Sequence, residues 1–96
     1  MNVKVEKAGG LTRFLIEGDM TIYHAKELKK CIFENFHGAG AAEFDLNGVS
    51  DMDTAGVQLL MLALREGKAR HKSVKIAAHS SATKKIFDIY GLNGYF

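Results

Sequence analysis

The chain has 96 residues, of which 47% are apolar and 25% charged, and its formal net charge is +2. Those values describe one ordinary globular domain, and so small a charge supplies no whole-chain field for nucleic acid or an anionic membrane. The single cysteine, Cys31, excludes an intrachain disulfide and the multi-cysteine zinc patterns, and its helical setting reads as an inert buried thiol.

Residues 2–7 alternate with Val3 and Val5 on one face, Gly9-Gly10 signals a turn, and Leu11 to Ile16 resumes a strand, so the chain opens with a hairpin. Glu17-Gly18-Asp19 breaks that pattern. Thr21 then caps a helix with Ile22, Ala25, Leu28, Ile32 and Phe36 along one stripe, and His37-Gly38-Ala39-Gly40 ends it. Phe44 to Leu46, with Ala41 or Ala42 at its start, is the next strand. A second helix runs from Thr54 to Gly67 or just beyond, where Arg65, Lys68 and Arg70 suit the negative end of its dipole. Val74 to Ala78 reads as a short buried strand. Ser80 or Ser81 caps a third helix with Ala82, Ile86 and Ile89 turned inward, Gly91 stops it, and Gly94-Tyr95-Phe96 adds edge structure.

The order is therefore β-β-α-β-α-β-α over residues 1–96. Such alternation implies a single α/β domain with a mixed, mostly parallel sheet of about four strands and helices packed on it. The start, Met1-Asn2-Val3-Lys4-Val5, shows no basic segment followed by an apolar run. The longest apolar stretch, Leu59 to Leu64, is far short of the roughly 18 residues a spanning helix needs. A cytoplasmic location without membrane insertion is the expectation.

Residues 44–64, FDLNGVSDMDTAGVQLLMLAL, concentrate the chemistry. A strand runs through a polar loop into a helix at Asp53-Thr54-Ala55-Gly56, placing Thr54, Asp51 and Asp53 at a helix N-terminus. Backbone N–H groups lack partners there and the dipole favours negative charge. The junction can cap the helix, or it can hold a phosphate, bound as a ligand or attached to Thr54.

Enzymatic readings find little support. Asp45, Asp51 and Asp53 lie near a strand's C-terminal end, where a magnesium or phospho-aspartate site would sit. No lysine or hydroxyl partner stands at a recognisable spacing, so capping and loop solvation account for them more simply. His24, His37, His71 and His79 form no HxxH or HExxH pattern and read as surface residues, and no Gly-x-Ser-x-Gly elbow occurs. Gly38-Ala39-Gly40 runs from helix to strand, the wrong direction for a phosphate-binding loop. Arg65, Lys68, Arg70, Lys72 and Lys75 lack interleaved aromatics, which argues against nucleic acid. No catalytic residue, metal or cofactor is expected.

The second helix points to a partner. At 100° per residue, Val57, Leu60, Met61 and Leu64 share one face while Leu59 and Leu62 point away from it. Those outward leucines, with Met20 and Met52 in loops at the same sheet edge, make an expected docking surface beside Thr54.

Three segments carry a family resemblance. Val49-Ser50-Asp51-Met52-Asp53-Thr54-Ala55-Gly56 resembles the signature loop of the STAS domain, the family of bacterial anti-sigma factor antagonists. Gly18-Asp19-Met20-Thr21 resembles the family's loop after the second strand. Residues 80–92, SSATKKIFDIYGL, resemble its third-helix segment.

The resemblance implies a non-enzymatic switch. Its phosphorylated residue is Thr54, modified by a partner that is both anti-sigma factor and serine/threonine kinase. The unphosphorylated domain binds that partner, phosphorylation ends the binding, and a PP2C-type phosphatase resets it. Asp19, Met20, Met52, Asp53, Gly56 and Leu59 fall on the implied contact surface of a monomer or weak dimer.

Ala55 stands where antagonists often carry a second hydroxyl, Gln58 stands where they often carry glycine, and the chain ends at Phe96 where the family commonly continues. Similar STAS proteins also serve as small subunits of phospholipid-moving ABC transporters, where Thr54 would contact an ATPase. Others belong to chemotaxis or two-component clusters. A magnesium-dependent phosphatase using Asp51 and Asp53 would require turnover of a phosphate ester that is lost on Asp53→Asn.

Overall fold

The computed structural model describes residues 1–36 and 40–96; the expected stop at His37-Gly38-Ala39 lies outside the described residues. The elements follow the expected order: β1 (Asn2–Ala8), β2 (Leu11–Met20), α1 (Ala25–Glu34), β3 (Ala41–Met52), α2 (Thr54–Ala69), β4 (Ser73–His79) and α3 (Ser81–Tyr90). They form one four-stranded sheet in the order β1-β2-β3-β4. β1 and β2 pair antiparallel, while β2–β3 and β3–β4 are parallel.

Period-two alternation builds the core. Thr12, Phe14 and Ile16 of β2 and Ala42, Phe44 and Leu46 of β3 are all buried. Phe14 and Phe44 are register partners whose rings stack at 5.0 Å. Helix α1 adds Leu28 and Ile32, and α2 adds Leu59, Leu60, Ala63 and Leu64. Each large apolar side chain so buried contributes about 1.5–3 kcal/mol. Two successive right-handed crossovers advancing in one direction put both helices on the same face, and α1 and α2 do pack on each other. Helix α3 packs mainly on β3.

Strands β2 and β3 run longer than their hydrophobic alternation suggests. They stay paired past Ile16 and Leu46 to Met20 and Met52, through register shifts at Leu15/Glu17 and Gly18/Asp19. Those irregularities leave Leu46, Val49 and Met52 buried at intervals of three, so period two disappears while the ladder continues. Helix α1 starts at Ala25 instead of Ile22. Residues 21–24 close a turn through His24 N–H donating to the Thr21 carbonyl at 3.0 Å, leaving Ile22 66% and Tyr23 90% exposed.

In α3 the inward residues are Thr83 and Phe87, one helical turn apart, with Ile86 partly buried and Ile89 exposed. Gly91 ends the helix in the left-handed region at φ 64°, a conformation glycine adopts without a Cβ penalty. Residues 94–96 form no strand; the Phe96 ring instead lies 5.8 Å from that of Phe87.

Candidate functional site

The turn from β3 into α2 is held by one carboxylate. Asp53 sits in extended backbone as the N-cap, and its Oδ1 accepts from Ala55 N–H at 2.9 Å and Gly56 N–H at 3.2 Å. Its Oδ2 accepts from Ile22 N–H at 3.0 Å, tying the β2–α1 segment to the start of α2. Partial burial pushes the Asp53 carboxyl up, but backbone N–H bonds from Ile22, Gly56 and Ala55 outweigh it and hold the group below the usual aspartate value.

The first turn of α2 lies directly on the strand ends. Asp53 N–H donates to the Met20 carbonyl at 3.4 Å. A Cβ on buried Gly56 would collide with that carbonyl oxygen and come within 3.0 Å of Met52 Cγ. Only glycine permits this approach.

Thr54, the first residue of α2, faces solvent, and its hydroxyl makes no hydrogen bond among the described residues. Around it stand exposed carboxylates. Asp19 Oδ1 accepts from Ser50 Oγ at 2.9 Å, and Asp51, opposite Asp19 in the ladder, accepts from Met52 N–H at 2.9 Å. Asp45, half-buried and further back along β3, accepts from the Asn47 N–H. Among the described residues no group of three or more His, Cys, Asp or Glu is placed to hold a metal ion.

The structure therefore brings Asp19, Asp53 and Thr54 to one rim, with Gly56 beneath it. Three other residues expected on a contact surface are placed differently. Met20, Met52 and Leu59 are 1%, 4% and 6% exposed and belong to the core. The methionines are the last residues of paired strands, not loop residues. Leu59 turns inward because α2 approaches the sheet along its smallest residues, Gly56, Ala63 and Gly67, with Leu60 between them. The outer side of α2 accordingly carries Gln58 and the partly exposed Val57, Met61 and Leu62.

Sequence reasoning missed Ile22 and Tyr23, which the Asp53–Ile22 bond holds out of α1. The chain contains no local signal of that long-range bond. It also placed His79 on the surface, whereas the ring packs edge-on against Phe87 at 4.6 Å with Nδ1 3.0 Å from Thr83 Oγ1.

A protein-family model described as "Mlab, STAS domain" matches residues 3–96. No curated protein matches the chain. An anti-sigma factor antagonist from Mycobacterium paratuberculosis superposes with a TM-score of 0.87 at 21% identity, covering 99% of this chain and 81% of that one. The anti-sigma factor antagonist SpoIIAA in its unphosphorylated form gives 0.78 at 19% identity over 98% of this chain and 84% of its own. The Bacillus cell fate determinant SpoIIAA in its phosphorylated form gives 0.70 at 19% identity, over 98% and 87%. Mglu matches 77% of the chain with a TM-score of 0.69 and 19% identity, and the chain spans only 19% of its length. At these identities the likeness is one of fold.

Proposed function

We propose that this chain, which belongs to the STAS domain family, is a phosphorylation-controlled protein-interaction switch of the anti-sigma factor antagonist kind. Unphosphorylated, it binds a partner that is both anti-sigma factor and serine/threonine kinase. Phosphorylation of Thr54 releases that partner, and a phosphatase restores the binding form. The chain itself carries out no catalysis. No helix among the described residues is long and apolar enough to cross a membrane, and the proposed place of action is the cytoplasm.

One observation carries this reading. The carboxylate of Asp53 caps α2, so the hydroxyl of Thr54 is left exposed and without a structural task. A kinase can reach it, and modification breaks no hydrogen bond of the fold. The phosphate adds about −1.5 to −2 charges at neutral pH. Near the helix N-terminus the dipole offsets about 0.3–1 kcal/mol of that, which favours survival of the fold. At an interface the same charge stands beside Asp19, Asp51 and Asp53, and like charges forced together cost several kcal/mol. Binding is the quantity the phosphate changes most. The structural likeness to SpoIIAA, a protein solved in both unphosphorylated and phosphorylated forms, supports the reading at the level of fold.

The test is recovery of partners from the native host with wild type, Thr54→Ala and Thr54→Glu as baits, with intact-mass analysis of each bait. The expected result is a kinase-type ATPase held by wild type and Thr54→Ala and lost by Thr54→Glu, with a one-phosphate mass shift on wild type. An ABC-type ATPase recovered with an unmodified bait would move the protein to the transporter-subunit reading.

A further inference from the structure

Helix α2 is flanked by two apolar grooves that share Gln58 and Leu62 as the ridge between them. One groove is floored by Ile22, Ala55 and Leu59 and bordered by Lys26 and Lys29. The other is floored by Val57, Met61 and Leu64, closed by Tyr95, and bordered by Arg65 and Lys68. No acidic side chain lines either groove.

The four rim cations are exposed, and none takes part in an ion pair among the described residues. Five cations elsewhere are paired, Lys4 with Glu6, Arg13 with Glu43, Lys30 with Glu34, Arg70 with Glu66 and Lys84 with Asp88. Lys7 and Lys75 on β1 and β4 and Lys85 on α3 stand unpaired among the described residues but away from the grooves. The two grooves together therefore present four cations and no carboxylate in their lining.

We infer that this face seats a protein partner whose docking segment is apolar and bordered by carboxylates. The grooves accept apolar side chains on both sides of the ridge, and unmatched ammonium and guanidinium groups stand where the partner's carboxylates would complete ion pairs. The inference deepens the interaction-switch reading by giving the partner's chemistry: carboxylates seated beside α2 are the groups a phosphate on Thr54 would repel. It rests on α2 being an interaction face, not on Thr54 being phosphorylated in the cell.

Two synthetic helical peptides test it. Both have a leucine face, one bordered by glutamates and the other by lysines, and each is titrated into isotope-labelled protein while backbone amide shifts are followed. The glutamate peptide is expected to bind about tenfold or more tightly than the lysine peptide at low salt, with shifts centred on Gln58 and Leu62. The gap narrows as salt rises. Lys26→Glu/Arg65→Glu, one change on each rim, is expected to abolish the preference, and Lys7→Glu/Lys75→Glu, equal in charge but on β1 and β4, to keep it. Equal or tighter binding of the lysine peptide, shifts centred elsewhere, or a preference untouched by Lys26→Glu/Arg65→Glu in a protein whose amide spectrum stays native would overturn the inference. So would phosphatidylglycerol vesicles moving the same amides while neither peptide does, which would make the face a lipid-binding one.

Discussion

Helices α2 and α3 both start at the C-terminal ends of parallel strands, and each has a threonine within its first turn. At α3 the hydroxyls belong to the fold. Ser80 Oγ accepts from Thr83 N–H at 3.1 Å and Thr83 Oγ1 accepts from Ser80 N–H at 3.0 Å, a reciprocal capping box. Thr83 is fully buried, with His79 against it. At α2 a carboxylate does the capping, and the hydroxyl of Thr54 points to solvent. Two similar residues at equivalent turns thus differ in whether their oxygen is committed. A committed oxygen stabilises one state; an uncommitted one is available to a reaction that must leave the fold intact.

That contrast sets an order of effects. Gly56→Ala is expected to be the most damaging change at the α2 start, about 1–3 kcal/mol from overpacking against strand backbone, read from the urea midpoint. Thr83→Val should cost about 1–3 kcal/mol, since it strips a buried network of its acceptor; a cost no larger than that of the same change at Thr54 would break the comparison. Asp53→Ala should cost about 0.5–2 kcal/mol as a lost cap and also free Ile22 N–H to exchange with solvent, visible by hydrogen exchange.

Two pH effects separate the sites further. The Asp53 carboxyl is held below its unfolded value near 3.9, so its contribution is present above that pH and is lost as pH falls through the lower folded value. Acid unfolding of Asp53→Asn should be correspondingly less steep. Burial, then the charge of Lys84, pushes the His79 imidazole down, only partly opposed by Asp88. The unfolded chain therefore takes up a proton first, and stability falls as pH drops below about 6.5 until the folded value is reached. His79→Gln should flatten that stretch of the stability profile. The smallest effect belongs to Thr54→Val, expected within about 0.5 kcal/mol of wild type in the same urea assay.

What the sequence revealed follows the same division between local and long-range causes. The start of α2 at Asp53-Thr54, the Ser80 cap and the Gly91 stop were legible because each depends on bonds within a few residues. The full lengths of β2 and β3 were not, because bulges destroy the alternation while the pairing persists. On α2 the expected inward residues Leu60 and Leu64 are buried, but Leu59, expected outward, is buried too. Hydrophobicity favoured Val57 and Met61, but the small residues Gly56, Ala63 and Gly67 decide which side can approach the sheet. The exposure of Ile22 and Tyr23 depends on the Asp53–Ile22 bond, between residues 31 positions apart.

The most direct test of the switch is the dissociation constant of the recovered partner kinase for this protein with and without phosphate on Thr54, measured on material whose modification is verified by intact mass. The account predicts a loss of affinity of about a hundredfold or more, equivalent to nearly 3 kcal/mol, with the urea midpoint of the isolated domain unchanged. Equal affinity of the two forms would contradict it.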